Sequence, residues 1–129
     1  MGRLLTGIGE APDVVVSSPA VRAESTAELA RIAGGWDAPL VLDERLYETG
    51  PAGALSAAHA HGARASRLLV VGHEPTWSLL TRHLTGAAVA MRTATVVGID
   101  LPDDWAPEPM PRGSIFYVLQ PRLFDGFGS

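Results

Sequence analysis

"LLVVGHEPTW", residues 68–77, is four apolar residues, a glycine and a histidine, then an acid followed at once by a proline. Four consecutive apolar residues closed by a glycine read as a strand buried on both faces, the pattern of a parallel sheet covered by helices. Pro75 fits the first turn of a helix, where its missing N–H costs nothing. His73 is therefore expected at the carboxyl end of a strand and just ahead of a helix N-terminus, the place where open α/β sheets hold their ligands. A lone histidine at such a junction can equally be structural, so a second signal is required.

Outward from this stretch the chain alternates. Residues 1–9 read as the end of a helix stopped by Gly9, and "DVVVSS" is a short buried strand at 13–17. Ser18 and Pro19 offer an N-cap and an N1 proline for a helix that runs to the Gly34-Gly35 stop. A second strand is expected at 40–43, an alanine-rich helix at 51–61, the strand at 67–71 and a helix at 75–84. "TATVVGIDL" and "SIFYVLQ" are longer strands rich in β-branched and aromatic residues, joined by the proline-rich loop "PDDWAPEPMPRG". In the tail "PRLFDGFGS", Leu123 and Phe124 are the residues able to dock. Helix and strand in alternation predict an α/β protein of three layers, α/β/α, around a mainly parallel sheet whose last strands can be antiparallel.

Composition narrows the function classes. At 129 residues, 47% hydrophobic and 19% charged, the chain reads as one globular domain. A net charge of −4 with no basic stripe argues against nucleic acid as the partner. All ten basic residues are arginine and alanine is abundant, the usage of a high-GC bacterial genome. The absence of cysteine removes disulfides, zinc-thiolate sites and a cysteine nucleophile. No apolar run is long enough to span a bilayer and no secretory h-region opens the chain, so the expected location is cytoplasmic and no membrane partner is expected. No Gly-rich phosphate loop follows any strand and no metal ligands cluster, so neither a cofactor nor a metal is expected.

The second signal is Arg22, in the first turn of the helix after "VVVSSPAV". The positive end of a helix dipole disfavours a cation there by a few tenths of a kcal/mol or more, unless an anion is bound beside it. A phosphate would gain from backbone N–H groups, the dipole and a bidentate guanidinium together. The competing reading is a solvated arginine paired with Glu24 or Glu28.

Together, "SSPAVRAESTAEL" and, some fifty residues on, "VVGHEP" resemble the histidine phosphatase superfamily, and within it the compact SixA-type phosphohistidine phosphatases of the phosphoglycerate mutase-like fold. The resemblance runs from about Ala11 to Phe124. It implies a phosphate pocket of two arginines and two histidines, with one histidine attacking phosphorus and the second hydrogen-bonding the transferring group. Arg22 matches one of the arginines and His73 the second histidine, with Ser18 beside them as a further phosphate contact. "DERLYE" resembles the "ERHYG"-like segment of the phosphoglycerate mutase relatives, which puts Glu44 at their general-acid position, with Glu48 and Glu74 as rivals. The implied substrate is a phosphorylated protein carrying phosphohistidine, or a small phosphate ester.

The same resemblance marks a departure. The superfamily's N-terminal strand ends in Arg-His-Gly and supplies the nucleophile, whereas the one Arg-His here is Arg82-His83, inside an expected helix. His59 and His61, two apart on a helix, do not share a face. The expectation is therefore a histidine-phosphatase-like domain over 1–129 that is N-terminally incomplete and missing its first strand. Either the reading frame starts late in a longer phosphatase, or the chain is a non-catalytic phosphate- or phosphoprotein-binding module. Loss of that strand is expected to leave its neighbours with unpaired edges and a gap in the core.

Overall fold

A computed structural model of the chain describes residues 1–48, 50–92 and 95–120, the side chain of residue 48 excepted. Leu123 and Phe124 lie outside the described residues. The elements run α1 (Gly2–Gly7), β1 (Val14–Ser17), α2 (Val21–Gly34), β2 (Leu40–Leu42), α3 (Arg45–Glu48), α4 (Gly50–Gly62), β3 (Leu68–Val71), α5 (Thr76–Thr85), β4 (Val96–Asp100) and β5 (Ser114–Leu119).

β1 is the centre of a parallel sheet in the order β2-β1-β3. Val15 lies opposite Leu40 and Leu69, and Val16 opposite Val41 and Val70. Successive side chains of a strand point to opposite faces, so the β-branched run at 14–16 serves both. On one face Val15, with Leu40, Leu69 and Val71, packs against Leu5 of α1, Ala27 of α2 and Trp36. On the other, Val16, with Val14, Leu68 and Val70, packs against Leu46 of α3, Ala54 and Ala57 of α4, and Trp77 and Leu80 of α5. The three layers expected from the alternating pattern are present. Buried alanines at 23, 27, 54, 57 and 58 let the helices approach the sheet closely, and Val15 and Val16 are fully buried. Each such valine contributes roughly 1.5 kcal/mol or more.

Gly35, in the left-handed region at φ 68°, ends α2: its N–H donates to the Ile32 carbonyl while Trp36 N–H donates to that of Arg31. At the other end the expected cap is replaced. The N-cap residue is Ala20, no side chain caps the helix, and Pro19 lies in the turn before it. Ser18 is drawn instead into the turn, where its Oγ accepts the Ala20 N–H at 3.2 Å. Pro75 likewise is the N-cap of α5 and not its first helical residue.

The sheet differs from a single continuous one. β4 and β5 pair antiparallel with Gly98 opposite Tyr117, and they form a separate two-stranded sheet. Among the described residues no strand joins β3 to β4. Both border a cleft of about 1650 Å³. Gly113 N–H, donating to the Leu84 carbonyl at 2.8 Å, ties the hairpin to the end of α5.

Candidate functional site

β1 and β3 lie side by side and parallel, so their carboxyl ends emerge together. That juxtaposition brings Ser18 and His73, which are 55 residues apart in sequence, into hydrogen-bonding contact: Ser18 Oγ and His73 Nε2 are 3.1 Å apart. Ser18 is fully buried. A hydroxyl can donate to a neutral ring nitrogen or accept from a protonated one, so this tie holds in either state of the imidazole. Tyr47 of α3 packs against the same ring edge to face, with centroids 5.9 Å apart. His73 is thus held on two sides. Its Nδ1 makes no hydrogen bond to the described residues, and the half-buried ring lines the cleft.

The turn that carries His73 is fixed from below. A Cβ on Gly72 would lie 2.7 Å from Cζ2 of Trp77, so the indole packs directly on the glycine backbone. Only a residue without a side chain allows that approach. Past the histidine, Glu74 accepts the Ser78 N–H at 2.8 Å and the Ser78 hydroxyl, satisfying the first turn of α5.

Arg22 sits exposed in the first turn of α2 and lines the cleft that His73 lines. Neither Glu24 nor Glu28 holds it: Glu28 pairs with Arg31 at 2.9 Å, and no described carboxylate lies within ion-pair distance of Arg22. A guanidinium at the positive end of a helix without a carboxylate partner is an open anion site in electrostatic terms. Arg22 and His73 thus border the same cleft, and Ser18 is tied to it through His73. Ser18, expected as a phosphate contact, is buried behind His73 with its hydroxyl engaged there.

The carboxylates are placed differently. Glu44 is exposed in the turn between β2 and α3 and is not among the residues lining the cleft, whereas Glu74 lines it but is engaged as a helix cap. The side chain of Glu48 lies outside the description. The remaining histidines point elsewhere. His61 Nε2 meets Asp43 Oδ2 at 2.8 Å, His59 lies edge to face with Trp105, and His83 is exposed in the last turn of α5. The sequence reading missed the Asp43 cluster and Tyr47. Asp43 accepts from Nε and Nη2 of Arg45 and from its backbone N–H. The Arg45 guanidinium holds the Asp43 carboxyl well below the usual carboxylate range against the opposing effect of burial, with His61 assisting. Among the described residues no three His, Asp or Glu side chains gather to hold a metal ion.

No protein-family model matches the chain. Two uncharacterized proteins of Mycobacterium tuberculosis, MT1313 of strain CDC 1551 / Oshkosh and Rv1276c of strain ATCC 25618 / H37Rv, are each 44% identical to it over 87 residues. The matched part is 64% of this chain and 52% of each relative, so the chain spans about half the length of these relatives. The solved structure of the protein histidine phosphatase SixA complexed with tungstate covers 95% of this chain and 78% of its own, with a TM-score of 0.78 and 20% sequence identity. The chain has the fold of SixA. The phosphoglycerate mutase-like architecture expected from the "SSPAVRAESTAEL" and "VVGHEP" stretches is thereby the one observed. No described helix is long and apolar enough to cross a membrane.

Proposed function

We propose that the corner formed by Arg22 and His73 binds a phosphoryl group, and that it belongs to a phosphohistidine phosphatase-type site. The observation that carries this reading is their convergence on one cleft at the carboxyl ends of parallel strands, with Arg22 free of any described carboxylate. The tungstate in the SixA complex, a tetrahedral oxyanion, supports it. Phosphoryl transfer spreads negative charge over three equatorial oxygens, and fixed positive charge and N–H donors around them supply most of the catalysis. Arg22 would take two of those oxygens. His73, steadied by Ser18 and Tyr47, would donate to a third.

In this reading a histidine attacks phosphorus while the bond to the leaving nitrogen or oxygen breaks, an acid protonates the leaving group, and water then hydrolyses the phosphohistidine. Arg22 and His73 bind and polarise the group and do not take it covalently. His59, packed on Trp105, His61, bonded to Asp43, and the exposed His83 are not among the residues that line the cleft, which supports an attacking histidine other than these three. The general acid remains Glu44, by its match alone. The substrate is phosphohistidine on a protein, or a small phosphate ester, met in the cytoplasm.

The 129-residue chain is accordingly expected to bind phosphate without turning it over, which is also how a non-catalytic phosphoprotein-binding module would behave. A longer form supplying Arg-His-Gly should form an acid-labile phosphohistidine. Assaying both on a phosphohistidine peptide and an aryl phosphate tests this. Robust turnover by the 129 residues, lost in His73→Ala, would make His73 the nucleophile and overturn the assignment.

A further inference from the structure

A hydroxyl carries one hydrogen and two lone pairs, and when it is buried its hydrogen needs an acceptor. Ser18 is fully buried, so the protein itself must supply one. Its Oγ accepts the Ala20 N–H at 3.2 Å, which occupies one lone pair. The neighbouring Ser17 hydroxyl donates to the Ser18 carbonyl at 2.9 Å and makes no demand on Oγ. Among the described residues the other partner of Oγ is His73 Nε2 at 3.1 Å, and it is the acceptor within reach of the hydroxyl hydrogen.

The direction of that bond decides the chemistry of the ring. In a neutral imidazole one nitrogen carries the hydrogen and the other the lone pair, and the bond made by one nitrogen selects the state of both. With the hydrogen on Nε2, Oγ would accept twice and its own hydrogen would be left buried without a partner. With the lone pair on Nε2, the Ala20 N–H donates to Oγ, the hydroxyl donates to the ring, and every hydrogen has an acceptor. Turning the ring over would set carbon against the hydroxyl, with the same loss. Tyr47, edge to face at 5.9 Å, packs on the ring in the orientation that keeps the bond.

We propose that Ser18 is a positioning residue that fixes neutral His73 in the tautomer with its hydrogen on Nδ1, so that the ring meets an anion as an N–H donor. Nδ1 makes no hydrogen bond to the described residues, and the ring lines the cleft that Arg22 also lines. The lone pair of Nε2 is spent on Ser18. Attack on phosphorus needs a nitrogen lone pair, so this tautomer makes His73 a donor and not the nucleophile. The same oxygen holds Ala20, the N-cap residue of α2 and two residues ahead of Arg22, so one hydroxyl sets both the ring and the helix end that carries the guanidinium. The donor role rests on the phosphoryl reading, whereas the tautomer rests on the hydroxyl alone.

The test is two-bond proton–nitrogen correlation NMR on the full chain labelled with nitrogen-15, at about pH 8.5, some two units above the ordinary histidine pKa of about 6.5. The spectrum distinguishes a nitrogen that carries hydrogen from one that carries a lone pair. The expected result is the Nδ1–H form of His73 in at least about tenfold excess in the parent and in Thr85→Ala, which loses a hydroxyl elsewhere, and an excess at least about fivefold smaller in Ser18→Ala. Nε2–H as the main form in the parent, or the same ratio in Ser18→Ala, would overturn the proposal. Titration with vanadate then separates it from the reading it rests on. A saturable shift of the Nδ1 resonance supports the donor role, and saturation without that shift overturns it. No saturable binding at all would overturn the phosphoryl reading and the donor role with it, while the tautomer would stand on the first spectrum.

Discussion

Replacing Ser18 by alanine removes one oxygen from a fully buried position, and the structure says what that oxygen holds. It accepts the Ala20 N–H at 3.2 Å and bonds His73 Nε2 at 3.1 Å. A backbone donor left without an acceptor costs about 1–3 kcal/mol, and the lower half applies here because Ala20 is only part-buried and water can reach it. At roughly 2 cal/mol/K of unfolding entropy per residue, each kcal/mol in a chain of 129 residues lowers Tm by about 4 °C, so the expected loss is about 4–8 °C. Freeing the imidazole adds an ordering cost on binding of about 0.5–1.5 kcal/mol, which weakens vanadate affinity roughly 2- to 10-fold. Thr85→Ala is the matched control. Its hydroxyl likewise accepts a backbone N–H, that of Ala87 at 3.2 Å, but at the far end of α5 and away from His73. Thermal unfolding followed by circular dichroism, with vanadate titration, should show both variants destabilised and only Ser18→Ala weakened in binding. Equal vanadate affinity in the two would refute the positioning role of Ser18.

Gly72→Ala places a methyl 2.7 Å from the Trp77 ring, and the forced shift should cost about 1–3 kcal/mol, read as a lower Tm together with an altered tryptophan emission. Asp43→Asn removes a carboxylate whose folded-state pKa is depressed, so the stabilisation it supplies is present above the ordinary carboxylate pKa of about 3.9 and is lost as pH falls toward the folded value. The Tm gap between parent and variant should therefore begin to narrow below about pH 4 and go on narrowing as the pH falls further. A gap as wide at pH 2 as at pH 5, or no gap at any pH, would contradict the Arg45 and His61 contacts.

How much of this was legible depends on the range of the cause. The strands at 14–17 and 68–71 are short apolar runs closed by polar or glycine residues, and local composition announces them. α2 ends at Gly35 because a left-handed residue is needed there, again a local matter. The corner at His73 was half legible. The histidine's place at a strand end follows from its own neighbours, whereas its tie to Ser18 spans 55 residues and exists only once β1 and β3 are in register. Tyr47 gave no signal because α3 has four residues, too few for any periodicity. The grip of Asp43 on His61 likewise joins a strand end to a helix that the sequence does not align. The apolar run at 68–71 says that two faces are covered and is silent on how many edges are paired, and the open edge of β3 was reached only through the family resemblance.

Vanadate binding measured on the parent, Arg22→Ala and His73→Ala tests the phosphoryl site most directly. Arg22 lines the cleft as an exposed guanidinium, so its charged hydrogen bonds count at the low end of about 1.5–3 kcal/mol, or roughly tenfold in affinity. The account predicts one saturable site in the parent that shifts the His73 ring resonances, weakened about tenfold in each variant with Tm nearly unchanged. Equal affinity in all three proteins, or saturation without any response at His73, would contradict it.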